Sequence, residues 1–304
     1  QLYGVHVNYF HELSLPGVSL EMLAYLRQTV AHAVDRSTLP QRGPVHINAP
    51  FRDPLDPAED PAVMQLADEI PRDFFDHLDG PHRSTSSQTK IWQRAITARG
   101  LIVAGPECPD DPASYAKSVA QLSAQLGWPI LADGVSPLRH FQTSRAVVVT
   151  AYDTILRSAS LARDLVPRHV LCLGSWPTSK VLRQWIEQSG AEIVLVSERH
   201  DNRDALHGRT RQIHAPVEAL VTKAKSKITQ DYAKLWRVVE QRARAGMTKM
   251  PRNPQLIFEG DVAATLAHSL PSDTPVYVAS SMPIRDVEYF WPITKKRFRM
   301  FFNR

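Results

Sequence analysis

The chain has 304 residues, of which 43% are hydrophobic and 22% charged, the proportions of an ordinary globular protein long enough for two domains. No run of about 18 apolar residues is present to form a membrane-spanning helix, and no secretory apolar segment opens the sequence. The net charge of +5 comes from arginines and lysines scattered along the chain, which argues against a nucleic-acid stripe and agrees with small anionic ligands.

Residues 1 to 18 carry Tyr3, His6, Tyr9, Phe10 and His11 and read as an ordered connector. Ser19 then caps a helix with Glu21 in its first turn and apolar residues at Leu20, Leu23, Ala24, Val30, Ala31 and Val34, near a 3.6-residue period. After a turn at Pro40 to Gly43, Pro44 to Pro50 reads as a short buried strand. Helix then strand predicts the closing unit of an α/β layer whose earlier strands precede Gln1. From Asp53 to Gln88 the sequence is rich in Pro, Asp, His and Ser with little periodicity, so 56–88 is expected to be a linker. His46, His77 and His82 do not have metal-ligand spacing and read as structural or solvated.

The next block alternates strands and helices. Strands are predicted over 101–105, 128–132, 169–174 and 192–196, with helices at 112–126 and 178–189. Strands joined by crossover helices require a parallel sheet, so the region is Rossmann-like in the broad sense. It lacks the glycine-rich dinucleotide fingerprint, since Val103 to Cys108 contains one glycine where several are needed. Only Cys108 and Cys172 occur, in no zinc spacing, and Cys172 reads as a core residue of a protein suited to a reducing compartment.

Gly174-Ser175-Trp176-Pro177-Thr178-Ser179-Lys180-Val181 imitates a phosphate-binding loop between strand and helix. It departs from that pattern at Ser179, in place of the second glycine, and at Val181, in place of a magnesium-binding hydroxyl. Lys180 in the first helical turn opposes the helix dipole; it either meets an anion there or is a surface lysine. Residues 216 to 246 read as one long helical stretch, and 250–254 as a second linker. Gly260-Asp261 is expected to cap a helix reaching Leu270. The basic runs Lys223 to Lys227 and Lys295 to Arg297 read as solvated faces.

A strand from Val276 then stops at Ser280-Ser281, and Pro283 opens a helix. Two hydroxyls, the free amides of a helix start and Arg285 one turn along suit a carboxylate or other anion. A serine-capped helix with a solvated arginine is the alternative.

Five groups of residues carry a family likeness. They are Leu2-Tyr3-Gly4 with Glu12 to Pro16; Gly43 to Leu55, containing His46-Ile47-Asn48-Ala49-Pro50; Gly174 to Lys180 with Trp185; Ser281-Met282-Pro283-Ile284-Arg285-Asp286; and Asn303-Arg304. In order and spacing the chain resembles the 2-succinyl-5-enolpyruvyl-6-hydroxy-3-cyclohexene-1-carboxylate (SEPHCHC) synthase family, transferases that use thiamine diphosphate and Mg²⁺ in menaquinone and phylloquinone biosynthesis. The resemblance implies an α/β parallel-sheet architecture with a complete Rossmann-like central domain flanked by partial domains. Residues 1–55 would end the pyrimidine-binding domain, 89–250 form the central domain and 254–304 begin the diphosphate-binding domain. It implies decarboxylation of 2-oxoglutarate and addition of the succinyl unit to isochorismate.

Lys180, Arg285 and Arg304 match substrate-binding positions. Ser281 matches a position near both substrate and cofactor, so Ser281 and Arg285 are the catalytic candidates. A cytoplasmic homodimer or homotetramer is implied, without nucleic acid or membrane insertion. The glutamate that activates the pyrimidine and the Gly-Asp-Gly motif that holds Mg²⁺ are expected beyond the two ends, which makes these 304 residues an inactive piece of a longer protein. Gly260-Asp261 is not that motif, and Ala279-Ser280 stands where the family usually has Gly-Asn. Another thiamine-diphosphate carboligase or decarboxylase, such as an acetolactate synthase relative, and a non-catalytic regulatory ligand-binding module are the alternatives.

Overall fold

A computed structural model describes residues 3–55, 59–75, 99–141, 146–198, 210–221, 231–249 and 258–303. His77, His82, the Lys223 to Lys227 run, the linker at 250–254 and Arg304 lie outside the described residues. Contacts divide the chain into two compact units, residues 1–84 with 199–201, and residues 85–198 with 202–304.

The first unit contains a β-α-β arrangement. Strand β1 (Tyr9–Glu12) pairs in parallel with β2 (Val45–Asn48), and helix α1 (Leu20–Thr38) connects them. Ser19 caps α1 as predicted, its hydroxyl accepting from the Met22 amide at 3.2 Å. The opening segment differs from prediction, because Tyr9 to Glu12 form a strand rather than a connector. His46 is structural, with its ring edge-on to Tyr3 at 4.9 Å and tilted against Phe10 at 5.1 Å. The Pro- and Asp-rich stretch also holds a helix, α2 (Pro61–Glu69). Asp60 caps it through the Ala62 amide, and Pro61 occupies the first position, where its missing N–H is no loss.

The second unit is built on six parallel strands. β3 (Gly100–Ala104) and β6 (His169–Leu173) are central. β4 (Ile130–Ala132) and β5 (Val148–Val149) lie to one side, and β7 (Glu192–Ser197) and β8 (Thr210–His214) to the other, giving the order β5-β4-β3-β6-β7-β8. Side chains alternate across the sheet, so Leu101 and Val103 pack on one face while Ile102 and Ala104 pack on the other.

Helix α3 (Pro112–Leu126) covers the second face through Tyr115, Val119 and Leu122, next to the short α4 (Pro137–His140). The first face is covered by α5 (Tyr152–Leu156), α6 (Ala159–Asp164), α7 (Lys180–Gln188) and α8 (Asp231–Thr248). Trp236, fully buried, packs edge-on to Trp185 in this layer at 6.1 Å. Cys172 is a core residue, 1% exposed, and burial pushes its thiol pKa up. The stretch predicted as one helix from 216 instead opens as a 3₁₀ turn over Val217–Leu220, and α8 begins at Asp231.

A doubly wound sheet ordinarily opens a ligand crevice where its winding reverses, at the carboxyl ends of β3 and β6. Backbone occupies that place. Gly105 donates to the Leu173 carbonyl at 3.1 Å and Ser175 to the Pro106 carbonyl at 3.2 Å. A Cβ on Gly105 would lie 1.6 Å from the Ser175 oxygen, so the loops can cross this closely only at a glycine.

The same unit contains a second β-α-β arrangement. β9 (Pro275–Val278) pairs in parallel with β10 (Arg299–Phe302), with α10 (Met282–Phe290) between them and α9 (Gly260–Ser269) packed alongside. Val135, Ala267, Ile284, Val287, Trp291 and Phe298 form its core. Glu259 is the residue before α9, and Gly260 is already helical. Lys296 caps the far end of α9 by donating to the His268 and Leu270 carbonyls, and Arg297 pairs with Asp273 at 2.9 Å, so two of the three side chains of that basic run have local work.

Candidate functional site

The turn between β9 and α10 is not an ordinary serine cap. Ser281 makes no capping hydrogen bond and has φ of 73° and ψ of −122°, a conformation natural to glycine. Such a residue costs about 1–3 kcal/mol and persists only where its surroundings hold it. Part of that hold comes from Asn303, whose Oδ1 accepts from the Ser280 amide at 2.8 Å. The helix begins at Met282 with Pro283 in its first turn, which leaves Arg285 exposed one turn along.

Helix α7 begins differently. Ser179 caps it through the Leu182 amide at 3.0 Å, and Lys180 is its first residue and exposed. In the loop before it, the amides of Gly174, Ser175 and Thr178 already have protein partners and are not turned to a phosphate. Gly174 donates to Val196 at 3.1 Å, Ser175 to Pro106 at 3.2 Å and Thr178 to Asp133 Oδ2 at 2.7 Å. What this loop presents outward is the Lys180 side chain.

Both helix starts border one cavity of about 430 Å³. Lys180, Ser281 and Arg285, about 100 residues apart in sequence, all line it. Arg304 lies outside the described residues, so its place is not given. The structure adds residues that sequence reasoning missed: Asp153, Arg157, Ser179, Glu288 and Tyr289 line the same cavity. Asp153, 3% exposed, accepts from Arg157 Nε at 2.8 Å and from the Ser179 hydroxyl. The i,i+4 spacing of Asp153 and Arg157 was the one available signal for that pair, but it lies in a stretch with no long periodic element.

Glu288 is 2% exposed and pairs with Arg139 at 3.0 Å. Burial pushes its carboxyl up to about 7 against the opposing pull of Arg139. Neighbouring His140, held by the Gly134 carbonyl at 2.9 Å, is driven by burial down to about 4 and is neutral at pH 7. The rim of the cavity therefore offers Arg157, Lys180 and Arg285 with serine hydroxyls, while the acidic groups Asp153 and Glu288 sit buried behind it. Such a donor set suits a ligand with carboxylates. Among the described residues no group of three His, Cys, Asp or Glu side chains could hold a metal ion. No helix of the described residues is long and apolar enough to cross a membrane.

Comparison with known proteins agrees with the sequence likeness. The SEPHCHC synthase of a Synechococcus species is 39% identical over 321 residues, an alignment that takes in 100% of this chain and 53% of that relative. The SEPHCHC synthase of Acaryochloris marina is 39% identical over 317 residues, covering 54% of its length, and that of Trichodesmium erythraeum is 36% identical over 317 residues. The chain thus spans about half the length of the curated relatives it matches. A family model described as the middle domain of thiamine pyrophosphate enzymes matches residues 74–278, which contain the six-stranded sheet and the Lys180 helix. By that match the chain belongs to the thiamine pyrophosphate enzyme middle-domain family.

Proposed function

We propose that the complete protein is a SEPHCHC synthase of menaquinone or phylloquinone biosynthesis, which decarboxylates 2-oxoglutarate and transfers the succinyl unit to isochorismate. The observation that carries the reading is the meeting of Lys180, Ser281 and Arg285 at one cavity. The names of the relatives support it. In this reading residues 1–55 end the pyrimidine-binding domain, 56–88 are a linker, 89–250 are the central domain and 254–304 begin the diphosphate-binding domain.

Both substrates carry several carboxylates, and the residues of this chain bind and orient them. Lys180 and Arg285 approach from two helix starts, so a dicarboxylate bridging them is held at both ends. By the family likeness Arg304 is read as a further substrate-binding cation. Ser281, held in its strained conformation, presents its hydroxyl to the reacting end of the substrate. Thiamine diphosphate, when bound, supplies the nucleophilic carbon and the electron sink for decarboxylation. The donors of this cavity fit carboxylates rather than a divalent cation, and by the family likeness Mg²⁺ and the diphosphate are held mainly by other segments of the complete protein. A homodimer or homotetramer in the cytoplasm completes the reading.

The test is 2-oxoglutarate turnover by the complete protein and its Lys180→Ala and Arg285→Ala variants. Losing one charge-assisted hydrogen bond costs about 1.5–3 kcal/mol, so kcat/KM should fall roughly 10- to 150-fold. Unchanged turnover in Arg285→Ala would sink the assignment.

A further inference from the structure

The last turn of α10 is tied into the sheet by a buried guanidinium. Arg139 Nε donates to the Ala132 carbonyl at 2.9 Å, Nη1 to the Glu288 carbonyl at 2.8 Å, and Nη2 to the Thr150 carbonyl and to Glu288 Oε1, both at 3.0 Å. The other carboxylate oxygen, Oε2, accepts from the Gly134 amide. The approach is so close that a Cβ on Gly134 would lie 2.7 Å from the Glu288 Cα. The ends of β4 and β5 and the turn after β4 therefore converge on one residue of the helix.

Stability alone is a poor reason for this arrangement, since a buried ion pair is commonly no better than apolar side chains of the same volume. What it does provide is a fixed pose with little freedom to slide, because two side-chain oxygens and one main-chain oxygen of the same helical residue are all engaged. A second tie lies beside the next residue. Tyr289 and Arg157 line the same cavity, Arg157 pairs with Asp153, and Asp153 accepts from Ser179, the cap of α7. The helix bearing Ser281 and Arg285 is thereby fixed through Glu288, and the helix bearing Lys180 is fixed at its cap through Asp153, on the two sides of one cavity.

We propose that Glu288, locked by Arg139, is a positioning residue that sets the pose of α10 and so places Ser281 and Arg285 opposite Lys180. Its bearing on catalysis rests on the reading of this cavity as the 2-oxoglutarate site; the lock itself does not. Glu288 faces Arg139 from α4, Asp133 from the turn after β4 and Tyr152 from α5. Replacing it by glutamine keeps the shape but sets an amide N–H₂ against either the Gly134 amide or the Arg139 guanidinium.

The experiment pairs amide hydrogen exchange with 2-oxoglutarate kinetics in the complete cofactor-loaded protein, wild type against Glu288→Gln, below the unfolding range of both. Exchange over residues 284–288 should quicken at least tenfold while the strands β3 and β6 keep their protection. In parallel, kcat/KM should fall at least tenfold. Should the glutamine variant not fold, Glu288→Asp keeps the charge but withdraws it by one methylene, and the same two readouts are expected to move at least threefold. Unchanged exchange in a folded variant overturns the lock, whatever the kinetics. Quickened exchange with kcat/KM within twofold of wild type overturns its role in positioning the site. If wild type itself does not turn over 2-oxoglutarate, the proposed function falls, and the exchange measurement decides the lock by itself.

Discussion

Gly105→Ala tests how the crossing loops at the centre of the sheet support the site. The added Cβ would stand 1.6 Å from the Ser175 carbonyl oxygen, so that carbonyl must withdraw by more than 1 Å to reach an ordinary contact. Withdrawal strains the paired hydrogen bonds from Gly105 to Leu173 and from Ser175 to Pro106, each worth about 1 kcal/mol net. Overpacking of this kind costs about 1–3 kcal/mol, so a total loss of roughly 2–4 kcal/mol is expected. Gly190→Ala is the control, because Gly190 has φ of +67° but nothing within 4 Å of its would-be Cβ. It should cost only about 1 kcal/mol, from backbone conformation alone. Urea unfolding followed by the fluorescence of the buried Trp128, Trp185 and Trp236 measures both. A Gly105→Ala variant no less stable than Gly190→Ala would refute the reasoning, since the steric overlap at Gly105 is claimed to cost more than the backbone strain at Gly190.

Glu240 accepts from the Thr150 amide at 3.0 Å, the Thr150 hydroxyl at 2.8 Å, the Ala151 amide at 3.0 Å and Arg244 Nε at 3.3 Å, so Glu240→Ala strands several donors. Its expected cost is about 3–5 kcal/mol in the same unfolding assay, and a loss below about 1 kcal/mol would contradict it. A pH prediction follows from two buried groups that act in opposite directions. Glu288 is raised from 4.5 to about 7, so the stability it contributes is complete below its ordinary pKa and is lost as pH rises through about 7. His140 is lowered from 6.5 to about 4, so its contribution is complete above 6.5 and is lost as pH falls through about 4. Between pH 4.5 and 6.5 the two offset each other. Thermal midpoints should therefore rise more steeply with pH in Glu288→Gln than in wild type, and fall with pH in His140→Gln; parallel curves for all three proteins would count against these shifts.

The central strands were legible because Leu101 to Ala104, Val170 to Leu173 and Ile193 to Val196 are apolar runs bounded by glycine, proline or charge, as strands buried on both faces should be. The edges were not. Thr210 to His214 is an edge strand in which Ile213 is buried while Arg211 is exposed, and β5 is only two residues long. Asp60-Pro61 carried a helix-start signal that the surrounding prolines and aspartates concealed. At the site, Lys180 was noticed because it opposes a helix dipole, and Ser281 and Arg285 because they open a helix after a strand. That these meet at one cavity could be anticipated only from the family likeness. Of the acids behind them, Asp153 had only its i,i+4 spacing to Arg157, and Glu288 had no local mark at all: it lies 149 residues from Arg139, and only the fold makes the two partners.

The paired strands outside the six-stranded sheet have a practical consequence. β1 with β2, and β9 with β10, are each two-stranded parallel ribbons whose outer edges have no strand partner among the described residues. A parallel ribbon of two strands is marginal by itself, and unpaired backbone along an edge is a template for joining another chain. Met300 and Phe302 face the core, which leaves Phe301, half-buried, as the apolar residue on the other side of β10. A preparation of these 304 residues would then have its solubility governed less by the well-covered sheet than by two short ribbons, and lysine placed at Phe301 is the change that should first reduce self-association.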